Sequence, residues 1–420
     1  MIDCTKYLIA NVCSKKGETM PKNTTPHQTE REAILLNELE LVKTPEGFLM
    51  ASSKRFRRLY GRDGCISAWQ LLDYDPDIAK NTILELARHQ GKRVKTRNEE
   101  EPGKIPHEIS YDFIDSVKIP HGTRLNWAFL RGYPYYGSID ATFLWLLLIA
   151  RYYEKTKNKE FLDSIWDNVS RALDWALEYA DIDGDNLIEY RQKNKIAGLK
   201  HQGWKDGVID TRNLHIKPPV AQVEVQGYAY AALKAFADIY RTVKKDEFEA
   251  EILSSTAERL HKRFAETFWM EEEQYFAYAL DADKNRVRMI TSNPGHLLFT
   301  NILDKDQTKA VVNKLFRHDM WTPYGIRTHS TEDPYFSLGA YHRGTIWPHD
   351  NWIIHEGLLI SGYPQEAERV HQALLKAFDK AGRAYEFWQA DLEGNFYVPK
   401  KSTAPFAWSV GALLDLSSKK

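Results

Sequence analysis

The chain has 420 residues, 43% of them hydrophobic and 27% charged, with a net charge of −1. That balance provides material for a large folded core and leaves no basic footprint for nucleic acid. The longest apolar run, Phe143 to Ala150, falls far short of the roughly 20 residues that cross a bilayer, so no membrane segment is expected.

Residues 1–24, with a second methionine at Met20, read as a disordered tail, and residues 25–420 as a single domain. From His27 the pattern turns helical through TEREAILLNELELV. After a loop ending in Arg62-Asp63, CISAWQLLDY and DPDIAKNTILELARHQ follow, joined tightly at Asp75-Pro76 with Pro in a first helical turn. A long irregular region reaches Gly137. It leads to an almost wholly apolar helix, Ser138 to about Lys155, and a charged one, Lys159 to Ala180. The loop holding Trp204 and Asp206 precedes a helix from about Val220 to Arg241. A charged helix then ends near Trp269, and a hairpin-like stretch and two shorter helices (SNPGHLLFTNIL, DKDQTKAVVNKLFRH) come next. The last helix pair straddles Gly362-Tyr363-Pro364, and a final helix begins at Ala404.

Helices that follow long loops are apolar all round, and helices that follow tight turns carry one charged face. The first kind belongs inside and the second covers it. Six of each, in alternation, predict an all-α fold, an (α/α)6 toroid with every long loop at one rim. A solenoid of helical repeats would need similar repeats and short loops on both sides.

The polar and aromatic clusters fall on that rim. Arg62 and Asp63 close the first loop; Tyr135, Tyr136 and Asp140 the second. Trp204, Lys205, Asp206, Glu224 and Gln226 belong to the third. His342, Arg343 and Trp347 lie on the fifth, and Glu386 and Trp388 on the last. Indole and phenol faces beside carboxylates suit sugar rings and their hydroxyls. An acid packed against an indole gains a raised pKa and can donate a proton. The alternative for Trp204–Asp206 is a structural loop whose Trp plugs a core.

The run DIDGDNLIE offers Asp181, Asp183, Asp185 and Glu189. Its glycine comes before the third Asp, unlike a calcium-binding EF-hand, and an Asp-Gly turn is the expectation. The histidines His296, His342, His349 and His355 lack zinc spacing, and no phosphate-binding glycine motif occurs. No metal or cofactor is expected. Cys4, Cys13 and Cys65 form no paired framework, which favours reduced thiols and the cytoplasm.

The segments GRDG, EPGKIPHE, YPYYGSIDAT, DGDNLIEY, HQGWKDG, AQVEVQGYAY, SNPGHLL, GIRT and YHRGTIWPHDN occur in the order seen in the glycogen-debranching amylo-α-1,6-glucosidase family, which the chain resembles from about Gly61 to Trp408. The resemblance implies an (α/α)6 inverting α-glucosidase with Asp206 as general acid and Glu386 as general base. By analogy with glucoamylase-like sites it implies Arg62 and Asp63 as ligands of the terminal glucose. Two departures are GWKDG in place of GWKDS, and a last loop, AYEFWQADLEG, that follows the family only loosely. The expected substrate is terminal α-linked glucose on oligosaccharides, short glucans or glucosides, α-1,6 linkages among them. The competing expectations are another toroidal sugar enzyme, a phosphorylase or epimerase, and a non-catalytic carbohydrate-binding protein.

Overall fold

In the structure, a computed structural model, residues 26–111, 132–206 and 216–419 are described. Among them the chain order gives α1 (Pro26–Val42), α2 (Gly61–Gln70), α3 (Pro76–Arg88), α4 (Ala141–Thr156), α5 (Lys159–Ser164) and α6 (Trp166–Glu178). There follow α7 (Val223–Ile239), α8 (Glu247–Thr267), a 3₁₀ helix (Asn293–Phe299), α9 (Lys305–Leu315), α10 (Pro348–Ile360), α11 (Pro364–Ala381) and α12 (Ala407–Ser418). The expected tail, with Cys4 and Cys13, lies outside the described residues.

Six elements form a closed inner ring. α2 packs on α4, α4 on α7, α7 on the 3₁₀ helix, that helix on α10, α10 on α12, and α12 back on α2. Each inner element is covered by an outer one, α3 on α2 and α8 on α7 for example. The structure is the (α/α)6 toroid. α4 shows why: Ala141 through Ile149 are all buried, so it has no wet face to offer. On α8 the buried residues Ala250, Leu253, Ala257, Leu260 and Phe264 form one stripe, and the remaining faces are charged.

The two kinds of helix begin differently. Asp75, Asn158, Asp246 and Asp304 each accept a backbone N–H of the outer helix that they open. Inner elements have no side-chain cap at Tyr60, Asp140, Gln222, Ser292, Trp347 or Phe406. Their N-terminal ends, which favour negative charge, therefore face the rim, and Asp63, Glu224 and Asp350 sit in first turns there.

Two expectations differ. The helix expected over 159–180 breaks at Ile165, where Ser164 Oγ donates to the Phe161 carbonyl at 2.6 Å and competes with the helical ladder. The fourth inner element is 3₁₀, not α. The hairpin-like stretch is two hairpins, Trp269–Met270 with Tyr275–Phe276 and Ala279–Leu280 with Arg286–Val287. The second adds Ala221–Gln222, which ties the entry of α7 to the rim.

Candidate active site

A cavity of about 500 Å³ opens at the uncapped ends of the inner ring. Its floor is made of Arg62, Asp63, Trp204, His342, Trp347, Glu386 and Trp408, all buried. Toward the mouth stand Arg55, Arg58, Tyr60, Tyr133 and Lys401, which are more exposed.

Arg62 organises the carboxylates. Its Nη1 donates to Asp140 at 2.8 Å, and its guanidinium lies 3.8 Å from both Asp63 and Asp206. Burial pushes the Asp63 carboxyl up to about 7 against the opposing pull of Arg62. Asp206 keeps 32% of its side chain exposed, so it is only partly buried. Glu386 is the opposite case. It is 2% exposed, and burial pushes it up to about 8 although the Tyr341 hydroxyl donates to its Oε1. The expected readily ionised base is therefore held by one strong donor in a dry site.

The GWKDG turn divides its side chains between two directions. Gly203 leaves room for the Gln222 side chain, whose Oε1 would lie 1.9 Å from a Cβ there. Trp204 stacks on His296 at 5.9 Å and meets His349, His342 and Trp347 edge-on. His296 is itself fixed between the Tyr228 hydroxyl at 2.5 Å and Asp350 at 2.8 Å. Lys205 points away from the cavity. Its ammonium donates to the Thr328 carbonyl at 2.7 Å and Ser292 Oγ at 3.1 Å, and lies 4.8 Å from the Trp204 ring centre. Burial pulls Lys205 down, opposed by the charges of Asp350 and then Glu224, and burial pushes Glu224 up.

Of the residues expected at the site, Arg62, Asp63, Trp204, Asp206, His342, Trp347 and Glu386 line the cavity. The other eight stand behind its wall, and there the expectation is corrected. Tyr135 accepts the Leu199 N–H at 2.7 Å, Tyr136 donates to the His89 carbonyl at 2.7 Å, and Asp140 is consumed by Arg62 and Ser138. Lys205 and Glu224 are fully buried; Gln226 bonds both the N–H and C=O of Ile188. Arg343 donates to the Tyr335 carbonyl and Trp388 to that of Tyr324. Tyr135, Tyr136, Lys205, Gln226, Arg343 and Trp388 bond backbone groups, which a sequence pattern does not distinguish from a ligand contact.

The sequence pattern did not single out Arg55, Arg58 and Lys401. Their signals, RFRR at 55–58 and KK at 400–401, have the form of solvated charge runs. Arg58 instead pairs with Glu108 and lies 5.5 Å from the Tyr133 ring centre. In the DIDGDNLIE turn, Lys284 reaches Asp183 at 2.9 Å and Asp185 at 3.0 Å, and it also pairs with Glu189. Asp181 accepts the N–H groups of Gly184, Asp185 and Asn186, as in an Asp-Gly turn.

Residues 61–409 match the family described as mannosylglycerate hydrolase MGH1-like glycoside hydrolase domain. The chain belongs to this family. Over 91 residues it is 32% identical to mannosylglycerate hydrolases MGH2 and MGH1 of Selaginella moellendorffii, a match that spans 22% of this chain and 18% of each relative. The fold is that of a GH63 mannosylglycerate hydrolase from Thermus thermophilus, solved with Tris (TM-score 0.68, 15% identity, 91% of this chain and 99% of that one). The same enzyme with Tris and D-glycerate gives a TM-score of 0.69 at 16% identity, over 93% of this chain and 99% of that one. Family and fold thus agree on a toroidal glycosidase, with mannosylglycerate hydrolases rather than glycogen-debranching enzymes as the named members.

Proposed function

We propose that the protein hydrolyses a small α-glycoside whose aglycone carries a carboxylate, of the mannosylglycerate kind, with inversion at the anomeric carbon. The observation that carries this reading is the division of one cavity into a buried floor of carboxylates and aromatic rings and a mouth bearing Arg55 and Lys401. Rings and acids suit the sugar, and exposed cations suit an anionic aglycone. A volume of about 500 Å³ fits a small glycoside, and the described residues form no extended cleft for a long glucan.

In this reading Asp206 protonates the glycosidic oxygen as its bond to the anomeric carbon breaks. A water attacks the opposite face and gives its proton to Glu386. Inversion needs room for that water, about 6.5–9.5 Å between the two carboxyl groups. Trp204 and Trp347 present rings to the sugar, and Asp63 accepts from its hydroxyls.

The test is release of free sugar from mannosylglycerate, glucosylglycerate, methyl α-mannoside and isomaltose, followed by NMR. β-Anomer released first from the glycerate glycosides supports the proposal. Efficient cleavage of isomaltose with neglect of the glycerate compounds would return the reading to an α-1,6-glucosidase. The burial of Glu386 favours a second assignment, Glu386 as acid and Asp206 as base. An activated aryl glycoside decides between them, because it rescues only the variant that lacks the acid.

A further inference from the structure

We infer that Tyr341 is the positioning residue of the base: its hydroxyl occupies Oε1 of Glu386 and leaves Oε2 as the atom that takes the proton from water. This rests on Glu386 acting as base.

Three observations carry it. The Tyr341 hydroxyl donates to Glu386 Oε1 across 45 residues of chain. Glu386 Oε2 is buried and accepts no hydrogen bond from a described residue. The tyrosine ring and the backbone of both residues are held in place. The tyrosine ring packs edge-on against Trp347 at 5.0 Å and Phe387 at 5.1 Å, and the Tyr341 carbonyl accepts from Thr345 Oγ1 at 2.6 Å. The Glu386 N–H donates to the Thr403 carbonyl at 2.8 Å. Each carboxylate oxygen thus has a different environment, and only one is left for a substrate water.

The proton balance is simple. Water forms its bond to the anomeric carbon, its proton moves to Oε2, and the leaving oxygen takes the proton of Asp206. Tyr341 keeps its own proton throughout, since burial among carboxylates pushes the phenol well above its ordinary value. Its contribution is to orient the carboxylate and, together with the Arg55 charge, to favour the ionised form, opposing the burial and the Asp63 and Asp206 charges that push Glu386 up.

The experiment compares wild type, Tyr341→Phe and Glu386→Gln on mannosylglycerate, with kcat, KM and pH profiles. For Tyr341→Phe we expect kcat to fall about 10- to 100-fold with KM changed less than about threefold, as for loss of one charged hydrogen bond. The acidic limb of kcat/KM should move up by about one to two pH units, because the base then needs a higher pH to ionise. An unmoved profile, or a loss confined to KM, overturns the positioning role. A shift of the basic limb instead means that Glu386 is the acid, and the base assignment falls. Glu386→Gln with near wild-type activity removes Glu386 from the chemistry altogether. Thermal melting of Tyr341→Phe within a few degrees of wild type shows that the change is not a folding defect.

Discussion

The floor and the mouth of the cavity are built from different kinds of contact. The floor residues Arg62 and Trp204 are buried and held from behind by Asp140 and by His296, which is itself bonded to Asp350. At the mouth, Arg55 donates to the Lys401 carbonyl at 3.3 Å from an exposed position, and Lys401 reaches the Gly339 carbonyl and lies 5.9 Å from the Tyr341 ring centre. A preorganised, water-poor floor stabilises developing charge, while an exposed mouth can be re-specified without disturbing the fold. The floor is thus the part suited to sugar chemistry in general, and the mouth the part suited to one aglycone.

Substitutions separate the two. Asp206→Asn should lower kcat about 10²–10⁴-fold, with much of the loss recovered on an activated aryl glycoside. Steady-state kinetics on both substrates check this, and an unaffected kcat would remove Asp206 from the floor's chemistry. Lys205→Met should remove the bonds to the Thr328 carbonyl and Ser292 Oγ and a favourable charge near buried Glu224, and cost about 1–3 kcal/mol of stability. Denaturant unfolding measures it, and adding Glu224→Gln should restore part of the loss. If it does not, the two residues are not an energetic pair.

At the mouth, Arg55→Ala and Lys401→Ala should each raise KM for mannosylglycerate about 3- to 30-fold and change KM for methyl α-mannoside much less. Equal losses on both substrates would make the mouth part of the sugar site. The same contrast predicts that KM for the anionic substrate rises with salt, while the neutral one stays flat.

A separate effect is on stability against pH. Burial raises Asp63 from 3.8 to about 7, so the folded state holds its proton longer than the unfolded chain. Below pH 3.8 both states are protonated and nothing is lost; between 3.8 and about 7 the unfolded state ionises first and stability falls. Asp63→Asn should therefore melt higher than wild type above pH 7, with the gain fading toward pH 4. A gain independent of pH would assign it to packing instead of charge.

Much of the toroid could be read from residue order because its causes are local. The apolar run in α4 can only be buried, and Asp75, Asp246 and Asp304 cap the outer helices within a few residues of themselves. Trp204 and Asp206 stood out for a local reason too, an indole and a carboxylate two residues apart in a glycine-flanked segment. Inner helices lack such caps, so where their rim residues point depends on elements far away in the chain.

The amino-acid sequence by itself determined the alternation of buried and covering helices, and with it the single rim on which the candidate residues gather. Hydrophobic periodicity acts over one or two turns of helix and needs no knowledge of partners. Only the tertiary structure decided which rim residues reach the cavity. Lys205 and Asp206 are adjacent in the chain, yet one is spent on Thr328 and Ser292 and the other faces the cavity. Tertiary contact also joined Tyr341 to Glu386 and turned the RFRR run into part of a wall. Burial and hydrogen-bond partners depend on what the fold brings from a distance, and that information is not present in any local stretch.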